Sequence, residues 1–587
     1  MINRKTLVSL LLMTVAVWGQ TPQLIEGWPF QVIPPGWGYS TPRIHFSQES
    51  NSDAVLFNIR SQVHKFRLNA TQFEGWPVTM DSVYFWLSSP IFLDIDRDGL
   101  VEIVTSAFYS DMVRELLIVV DDNGIIMPGF PILFANGAAS LNVADFDDDG
   151  EYEVMVYTYM DDLIHCFDRF GDYKPGWPIQ GAEELMELNN LGSGGAVGDL
   201  DLDGYNEYIL MGLYHIYAYR HDGTVQPGFP IVVHDSTSWC FTNGWVWPPI
   251  LADLDNDNYL EIIVAGENWC TDMPPAFNSF ISIYEHDGAL KEGWPVYFYG
   301  ELIREAPLPC DINNDGIFEI GFQGVELNFI DLSGNALPGW PVPVLDPAGR
   351  QVITYSDLIA VDVDGDHDSE IFLDNGSLYV DSIGQDSGWY GGHGYIYGFD
   401  HFGQNLTGFP LRVGGETFSR PPNFGYDPNS QSIYMAIYPT VYDPTNPMRD
   451  TGRVEVYLFP DSTGPPDQWP MLSHDNLMTR NYNFVDRVTS INDEGEEILP
   501  KCPILKQNYP NPFNYSTVIE FTLPKREHVT LDIYDILGRK VADIYDQVME
   551  AGAHRHRLSM KDVRSGVYFY TLRTEKTQIT RKMTLVK

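Results

Sequence analysis

Short runs of alternating apolar and polar residues, broken by turns, dominate the pattern of this chain. One run, Ile216 to Tyr219, leads into Asp222-Gly223, a pair that favours tight hairpins because both residues accept positive φ. Equivalent turns end at Asn123-Gly124, Asp287-Gly288, Ser333-Gly334 and Phe402-Gly403. Almost no window has helical periodicity. The pattern therefore predicts an all-β protein built from many short strands.

A Gly-aromatic-Pro triplet marks a longer repeat. It occurs at residues 27–29, 75–77, 129–131, 176–178, 228–230, 293–295, 339–341 and 408–410, with a worn copy at Gln468-Trp469-Pro470. These nine landmarks bound eight units of 46 to 69 residues. Four strands per unit and a period near 50 predict a β-propeller of eight blades, with seven blades or an open solenoid as alternatives. We expect each aromatic ring to wedge between neighbouring blades.

A nine-residue acidic motif occurs six times inside these units. We count residues 1 to 9 within the motif. Residues 1, 3 and 5 are Asp, or Asn once, residue 6 is usually Gly, and residue 9 is Glu. Oxygen ligands at alternate positions of a tight loop converge on one point, as a hard cation such as Ca²⁺ requires. The carbonyl of residue 7 and the Glu at residue 9 can complete six to eight ligands. The units at residues 27–75 and 408–470 lack the motif and are the expected place of ring closure.

We number these segments acidic loops 1 to 6, at residues 94–102, 145–153, 199–207, 253–261, 311–319 and 362–370. The predicted ligands are Asp94, Asp96, Asp98, Leu100 and Glu102; Asp145, Asp147, Asp149, Glu151 and Glu153; Asp199, Asp201, Asp203, Tyr205 and Glu207; Asp253, Asp255, Asp257, Tyr259 and Glu261; Asp311, Asn313, Asp315, Ile317 and Glu319; and Asp362, Asp364, Asp366, Asp368 and Glu370. The alternative is a solvated acidic turn, but so many carboxylates repel one another unless a cation neutralises them. Asn258 and His367 replace the glycine, which makes loops 4 and 6 weaker candidates.

The loops and landmarks together resemble the FG-GAP or VCBS-type repeats of bacterial surface proteins, which are related to the propeller of integrin α subunits. The resemblance covers about residues 80–400 through the loops and 25–475 through the landmarks. It implies up to six Ca²⁺ ions in strand–loop–strand turns, where they stiffen blades and do no chemistry. It does not indicate a ligand or an activity.

The two ends of the chain predict export. Arg4 and Lys5 precede a mostly apolar run from Thr6 to Trp18, typical of a signal peptide over residues 1–19. No later stretch has 18 uninterrupted apolar residues, so we expect a mature protein without a transmembrane segment. A linker is predicted over 476–506. Residues 507–587 alternate strongly and predict a small Ig-like β-sandwich.

This C-terminal segment closely resembles the type A sorting domain of the type IX secretion system. The matching stretches are Asn508–Asn514, Leu531–Val541, Gly552–His554, Ser565–Leu572 and Lys582–Lys587, while Tyr515 stands where the family usually has Pro. The resemblance implies the type IX machinery as a partner and release or attachment at the cell surface. The alternative is an ordinary Ig-like binding module.

Charge and cysteine content narrow the function classes. The chain carries 81 Asp and Glu against 35 Lys and Arg, a net charge of −46, which argues against nucleic-acid binding. Residues 501–587 hold 15 Lys and Arg against 9 Asp and Glu, so a basic tail follows an acidic body. Of five cysteines, Cys240 and Cys270 are the likeliest pair, whereas Cys166 and Cys310 are expected to be small buried residues and Cys502 lies in the linker.

Two functions fit these features. The first is a secreted or cell-surface binding or adhesion module for a protein or glycan ligand. The alternative is a glycan lyase or hydrolase on a propeller scaffold, because the longest units carry aromatic residues that can stack on sugars. The same residues can instead pack the insertions against the blades. They are Trp239, Trp245, Trp247 and Trp269, and then Trp389-Tyr390-Gly391-Gly392-His393. No nucleophile, metalloprotease or phosphate-binding motif singles out catalytic residues, so we predict none.

Overall fold

Every regular element in the described part of the chain is a β-strand, as the hydrophobic pattern predicts. The computed structural model describes residues 21–459, 504–505 and 516–586, with internal gaps at 33–41, 47–53, 60, 81–82, 85–89, 97–99, 110–113, 136, 159–160, 182–193, 213, 234–244, 256, 270–276, 300–302, 304, 354–355, 375–377, 381–385, 390–393, 416, 418–420, 428–429, 442–450, 524, 537–538, 550–551, 562 and 575–577. Within these ranges no helix has the length and apolarity needed to span a bilayer. The predicted signal peptide and most of the predicted linker lie outside the described residues.

The first half of the chain forms four successive antiparallel sheets after two short N-terminal strands, β1 (Gln23–Leu24) and β2 (Phe30–Val32). Sheet 1 consists of β3 (Arg43–His45), β4 (Ala54–Ile59), β5 (Gln62–Phe66) and β6 (Val78–Thr79). Sheet 2 consists of β7 (Val83–Tyr84), β8 (Ile91–Leu93), β9 (Glu102–Tyr109), β10 (Glu115–Val120) and β11 (Ile132–Phe134). Sheet 3 consists of β12 (Ala138–Ala144), β13 (Glu153–Thr158), β14 (Leu163–Phe167) and β15 (Ile179–Gln180). Sheet 4 consists of β16 (Ala196–Gly198), β17 (Glu207–Met211), β18 (His215–Tyr219) and β19 (Ile231–Val232).

Four further sheets repeat this arrangement. Sheet 5 consists of β20 (Trp245–Val246), β21 (Ile250–Ala252), β22 (Glu261–Trp269), β23 (Phe277–Tyr284) and β24 (Val296–Tyr299), and sheet 6 of β25 (Leu308–Cys310), β26 (Glu319–Gln323) and β27 (Leu327–Ile330). A small extra sheet of β28 (Val352–Ile353), β31 (Leu378–Val380) and β32 (Asp386–Trp389) accompanies sheet 7, which consists of β29 (Ile359–Val361), β30 (Glu370–Asp374), β33 (Tyr395–Phe399) and β34 (Leu411–Arg412). Sheet 8 consists of β35 (Asn423–Asp427), β36 (Ser432–Ile437), β37 (Thr440–Val441) and β38 (Thr451–Phe459).

The N-terminal strands complete sheet 8. β1 pairs with β38 through Gln23 and Leu458, and β2 pairs with the same strand through Phe30 and Val454. The first landmark, Gly27-Trp28-Pro29, lies between β1 and β2. Each of the eight sheets therefore has one landmark, and sheet 8 takes its copy from the other end of the body.

The core is a series of apolar clusters that join neighbouring sheets. Separate clusters join sheet 1 to sheet 2, sheet 2 to sheet 3, sheets 3 to 5, and sheets 5 to 8. A further cluster joins sheet 8 to sheet 1 through residues such as Val456 and Phe57. Because sheets cover both faces of the central strands, β10 and β13 are buried along their whole length. This two-sided burial explains why continuous apolar runs replace simple alternation there.

The landmarks lie inside the sheets rather than at the borders between them, before the outer strand or, in sheet 6, before the bridge between Leu327 and Val342. Each described landmark tryptophan donates its indole N–H to a turn carbonyl of the next sheet. For example, Trp76 Nε1 lies 3.1 Å from Asp122 O, and Trp177 Nε1 lies 2.9 Å from His221 O. The landmark tryptophan rings therefore contact the neighbouring sheet, as predicted. The sequence units do not coincide with the sheets, because each landmark lies within a sheet and not between two sheets.

The C-terminal segment forms two antiparallel sheets around one apolar cluster. The first consists of β39 (Ile504–Leu505), β40 (Ser516–Leu523) and β43 (Gly552–Ser559), and the second of β41 (Glu527–Asp535), β42 (Lys540–Met549), β44 (Gly566–Arg573) and β45 (Gln578–Leu585). Phe521, Leu531 and Tyr570 are buried between them. Two sheets sharing one core agree with the alternation of the sequence.

Candidate metal centres in the acidic loops

Each acidic loop connects two consecutive strands that pair antiparallel in the same sheet. Loops 1 to 6 lie in sheets 2 to 7 in chain order, and residue 9 of each loop is the first residue of the following strand. Residue 2 is apolar and buried in all six loops, as with Ile95 and Phe146. One buried side chain and one strand end therefore anchor every loop to the core.

The glutamate at residue 9 closes the loop through one of its two oxygens. Its Oε2 accepts the backbone N–H of residue 2 at 2.7 to 3.1 Å in all six loops, which are the pairs Ile95–Glu102, Phe146–Glu153, Leu200–Glu207, Leu254–Glu261, Ile312–Glu319 and Val363–Glu370. These glutamates are buried. The sequence suggested only a ligand at residue 9, whereas the structure shows that Oε2 of this glutamate organises the loop.

The aspartate at residue 1 accepts backbone amides from the far side of the loop. Asp145 Oδ1 and Oδ2 accept the N–H groups of Asp149 and Gly150 at 3.1 and 3.0 Å, and loops 3, 4 and 5 repeat both bonds. Residue 6 has positive φ in loops 2 to 6, and Asn258 and His367 both adopt φ 75. The bend predicted from the glycines therefore forms in loops 4 and 6 as well.

Carboxylate oxygens converge in five of the six loops. The groups whose ligand atoms lie within 4.8 Å of one another are Asp94, Asp96 and Glu102; Asp145, Asp147 and Glu153; Asp199, Asp201 and Asp203; Asp253, Asp255 and Glu261; and Asp362, Asp364 and Glu370. Asp98 lies outside the described residues. Asn313 replaces one carboxylate of loop 5, whose Asp315 N–H donates to Asn313 Oδ1 at 3.0 Å. Residues 1, 3 and 9 thus meet in four loops, residues 1, 3 and 5 meet in loop 3, and their role as metal ligands stays a prediction.

Residue 7 has a separate role. Its N–H donates to the Oδ1 of residue 5 at 2.8 to 3.0 Å in loops 2 to 6, at Glu151, Tyr205, Tyr259, Ile317 and Asp368. The side chain of Glu151 pairs with Arg169 at 3.0 Å, and that of Asp368 pairs with His401 at 3.1 Å. Coordination by the carbonyl of residue 7 stays a prediction.

Three basic side chains that contact carboxylates at residues 3, 5 or 9 of the loops were missed by sequence reasoning. Lys174 Nζ lies 2.8 Å from Asp147 Oδ2 and 2.9 Å from Glu153 Oε1 in loop 2. Lys291 Nζ lies 2.8 Å from Asp255 Oδ2 in loop 4. Arg220 contacts Asp201 and Asp203 in loop 3 at 2.8 and 3.0 Å. Their positions in the sequence could have revealed them, since both lysines stand two residues before the glycine of a landmark.

Burial makes the glutamates at residue 9 of loops 2 to 6 hard to ionise in the absence of a metal. Burial, and then the charge of Asp201, raises the pKa of Glu207 to about 9. Burial also raises the pKa of Glu370 to about 9 and that of Asp145 to about 6. A nearby cation would favour the ionised forms.

The donor chemistry fits a hard divalent cation. Every loop offers carboxylate oxygens, which Ca²⁺ prefers. Glu207 is fully buried and its Oε1 has no hydrogen-bond partner, which is costly for a carboxylate unless a cation reaches it. Loop 1 borders a cleft of about 190 Å³ whose lining includes Asp96, Glu102, Asp121 and Met127. These residues could hold a metal ion.

Of the other predicted features, Trp247 and two cysteines can be placed. Trp247 packs against the core of sheets 5 to 8 and donates its indole N–H to Ile303 O at 2.9 Å, so it has a packing role. Cys166 and Cys310 are free and buried, as expected. Cys240, Cys270, Cys502, Trp239 and residues 390–393 lie outside the described residues, as do the side chains of Trp245, Trp269 and Trp389.

Comparison with protein families identifies the C-terminal segment. Residues 507–586 match the secretion system C-terminal sorting domain, which confirms the type IX assignment made from the sequence. This domain indicates export by the type IX system to the cell surface or the medium. A search of curated proteins finds no match to this chain.

Several solved structures resemble the chain at low identity. The biofilm matrix protein Bap1 of V. cholerae is 12% identical, with 81% of this chain and 96% of that chain covered and a TM-score of 0.46. PorZ, a surface component of the type IX secretion system of Porphyromonas gingivalis, is 10% identical, with 95% and 100% covered and a TM-score of 0.18. The plexin A4 extracellular region is 8% identical, with 96% and 62% covered and a TM-score of 0.35. None of them shares enough with this chain for its role to be transferred.

Proposed function

We propose that this protein is a calcium-binding β-propeller of the FG-GAP or VCBS type that acts outside the cell as a binding or adhesion module. Its sorting domain directs it to the type IX secretion machinery. The body would then present loops from a rigid scaffold to an external protein or glycan ligand, because binding residues concentrate in loops.

The arrangement of the sheets supports a propeller of eight blades. Eight successive antiparallel sheets each carry one landmark, and the N-terminal strands add to sheet 8. Apolar clusters join each sheet to the next and sheet 8 to sheet 1. Radial repetition of this kind leaves few exposed edges. An eight-fold ring in electron micrographs of the purified protein is the expected result, whereas an open row of sheets would contradict it.

The convergence of acidic side chains in the repeated loops carries the calcium proposal. Four loops bring together the carboxylates of residues 1, 3 and 9, and a fifth brings together residues 1, 3 and 5. The ligands we propose are the oxygens of residues 1, 3, 5 and 9 and the carbonyl of residue 7. A bound ion would tie together the two strands that its loop connects and so stiffen the sheet.

Thermal unfolding of the full chain tests calcium binding directly. After exhaustive chelation, added Ca²⁺ should raise the melting temperature by many degrees, and Mg²⁺ should do less because it needs a small octahedral site. Asp364→Asn should reduce the gain by weakening loop 6. Asp400→Asn, which changes a turn aspartate outside the loops, should leave it intact. A melting temperature indifferent to calcium would refute the metal assignment.

A glycan array separates binding from catalysis. We expect the calcium-loaded protein to retain a ligand without producing new reducing or unsaturated sugar ends. Formation of such ends would favour the alternative, a glycan lyase or hydrolase.

A further inference from the structure

The acidic loops fall into two classes according to one side chain outside the loop. That side chain stands two residues before the glycine of the landmark in the same sheet, and its backbone N–H always donates to the strand that precedes the landmark. The residues are Met127, Lys174, Gln226, Lys291, Leu337 and Leu406 for loops 1 to 6, with N–H to carbonyl distances of 2.9 to 3.0 Å. The shared hydrogen bond makes these six positions equivalent.

In loops 2 and 4 this position delivers an ammonium group to the predicted ligands. Lys174 Nζ contacts residues 3, 5 and 9 of loop 2 at 2.8, 3.3 and 2.9 Å. Lys291 Nζ contacts residues 3 and 9 of loop 4 at 2.8 and 3.4 Å, and also Glu285 at 3.1 Å. Both lysine side chains are largely buried, with 14% and 15% exposure. A divalent ion would compete for the same oxygens.

Loops 1, 5 and 6 have an apolar residue at the equivalent position. In sheet 2 that residue is Met127, and the cleft it lines is bordered by the carboxylates Asp96, Glu102 and Asp121. These side chains differ from the lysines of loops 2 and 4 in charge, because the thioether of Met and the isobutyl group of Leu cannot neutralise carboxylates. In loop 3, Gln226 Nε2 donates to Asp201 Oδ2 at 2.9 Å and Arg220 adds charge, but Glu207 Oε1 is left without a partner.

We propose that Lys174 and Lys291 are built-in counter-ions that keep divalent ions out of loops 2 and 4, so that calcium selects the four loops without a lysine at that position. This inference rests on the proposed calcium binding. An ammonium group already hydrogen-bonded to two or three carboxylates leaves less electrostatic attraction for a metal. The metal would also have to displace the buried lysine into water.

Calcium stoichiometry of the full chain tests the inference, measured by equilibrium dialysis with elemental analysis. Lys174→Met and Lys291→Met copy the residue of loop 1, and the double variant should bind two more ions per chain than the wild type. The reciprocal Met127→Lys should bind one fewer. Without calcium the double variant should melt at a lower temperature than the wild type, because its carboxylates lose their partner, and calcium should restore much of the loss.

The outcomes distinguish the two proposals. Calcium binding by the wild type with an unchanged stoichiometry in all the variants would overturn the counter-ion role and leave the proposed function standing. No calcium bound by the wild type or by any variant would overturn both. If the double variant does not fold, Met127→Lys alone decides, since loss of one ion supports the inference and an unchanged number contradicts it.

Discussion

The backbone N–H of Ile44 donates a 3.0 Å hydrogen bond to Asn423 Oδ1 across 379 residues of sequence. Ile44 lies in sheet 1 and Asn423 begins sheet 8. Both residues are buried, with 3% and 0% exposure. This bond therefore links the two sheets that are farthest apart along the body.

Asn423→Ala should lower the free energy of unfolding by about 1–3 kcal/mol, because it leaves the buried N–H of Ile44 without an acceptor. Urea denaturation of the full chain measures the change. Asn335→Ala is the matched control, since Asn335 lies in an exposed turn and should change stability by no more than about 0.5 kcal/mol. Equal effects of the two substitutions would argue against a structural role for the link between sheets 1 and 8.

Gly129→Ala should destabilise the protein far more than Gly293→Ala. Both landmark glycines have positive φ, 92 and 95, so both alanines meet the same backbone strain. A Cβ at Gly129 would overlap the carbonyl oxygen of Phe170 in the next sheet, whereas one at Gly293 meets nothing within 4 Å. We expect a difference of about 2 kcal/mol in unfolding free energy, and equal losses would contradict the close approach between sheets.

His367→Gly should stabilise loop 6. His367 has φ 75 and a largely exposed side chain, and glycine adopts this conformation without the steric cost of a Cβ. We expect a gain of about 1 kcal/mol, measured as a higher melting temperature in calcium. Asn258→Gly at the equivalent position of loop 4 should gain less, because Asn tolerates positive φ better. A loss of stability in His367→Gly would mean that the imidazole contributes to the loop.

Two buried histidines should make the body sensitive to acid. Burial lowers the pKa of His64 and of His165 to about 4, so the folded protein keeps them neutral while the unfolded chain binds protons below pH 6.5. Stability is therefore lost as the pH falls from 6.5 towards 4, by about 2 kcal/mol per histidine at pH 5.

The replacements His64→Phe and His165→Phe test this effect, since both histidines stack on phenylalanine rings. Each variant should lose less stability than the wild type between pH 7 and pH 5 in urea denaturation. Parallel pH profiles would show that the histidines do not contribute.

The chelated protein should also weaken at high pH. Burial raises the pKa of Glu370 to about 9, above its value of 4.5 in the unfolded chain. The folded state therefore holds an extra proton between these values, and stability should fall as the pH rises, on the order of 1 kcal/mol per pH unit. Glu370→Gln should flatten that slope in chelator, and an unchanged slope would contradict the assignment.

The sequence was sufficient to predict features that depend on a few consecutive residues. Strand periodicity, the hairpin at Asp222-Gly223 and the bend at residue 6 of loops 2 to 6 follow from local backbone preferences. The convergence of Asp94, Asp96 and Glu102 was also predictable, because a nine-residue loop limits how far its ends can separate. The sorting domain was identifiable because its motifs are specific.

Only the tertiary structure revealed which distant groups become neighbours. Lys174 reaches loop 2 because the hairpin of the third strand folds back over the loop, and Ile44 meets Asn423 because sheets 1 and 8 pack together. The placement of each landmark inside a sheet depends on the turn of the following sheet. These contacts are set by the packing of whole sheets, whose apolar faces must all be covered. A short stretch of sequence does not specify which distant residues such packing brings together.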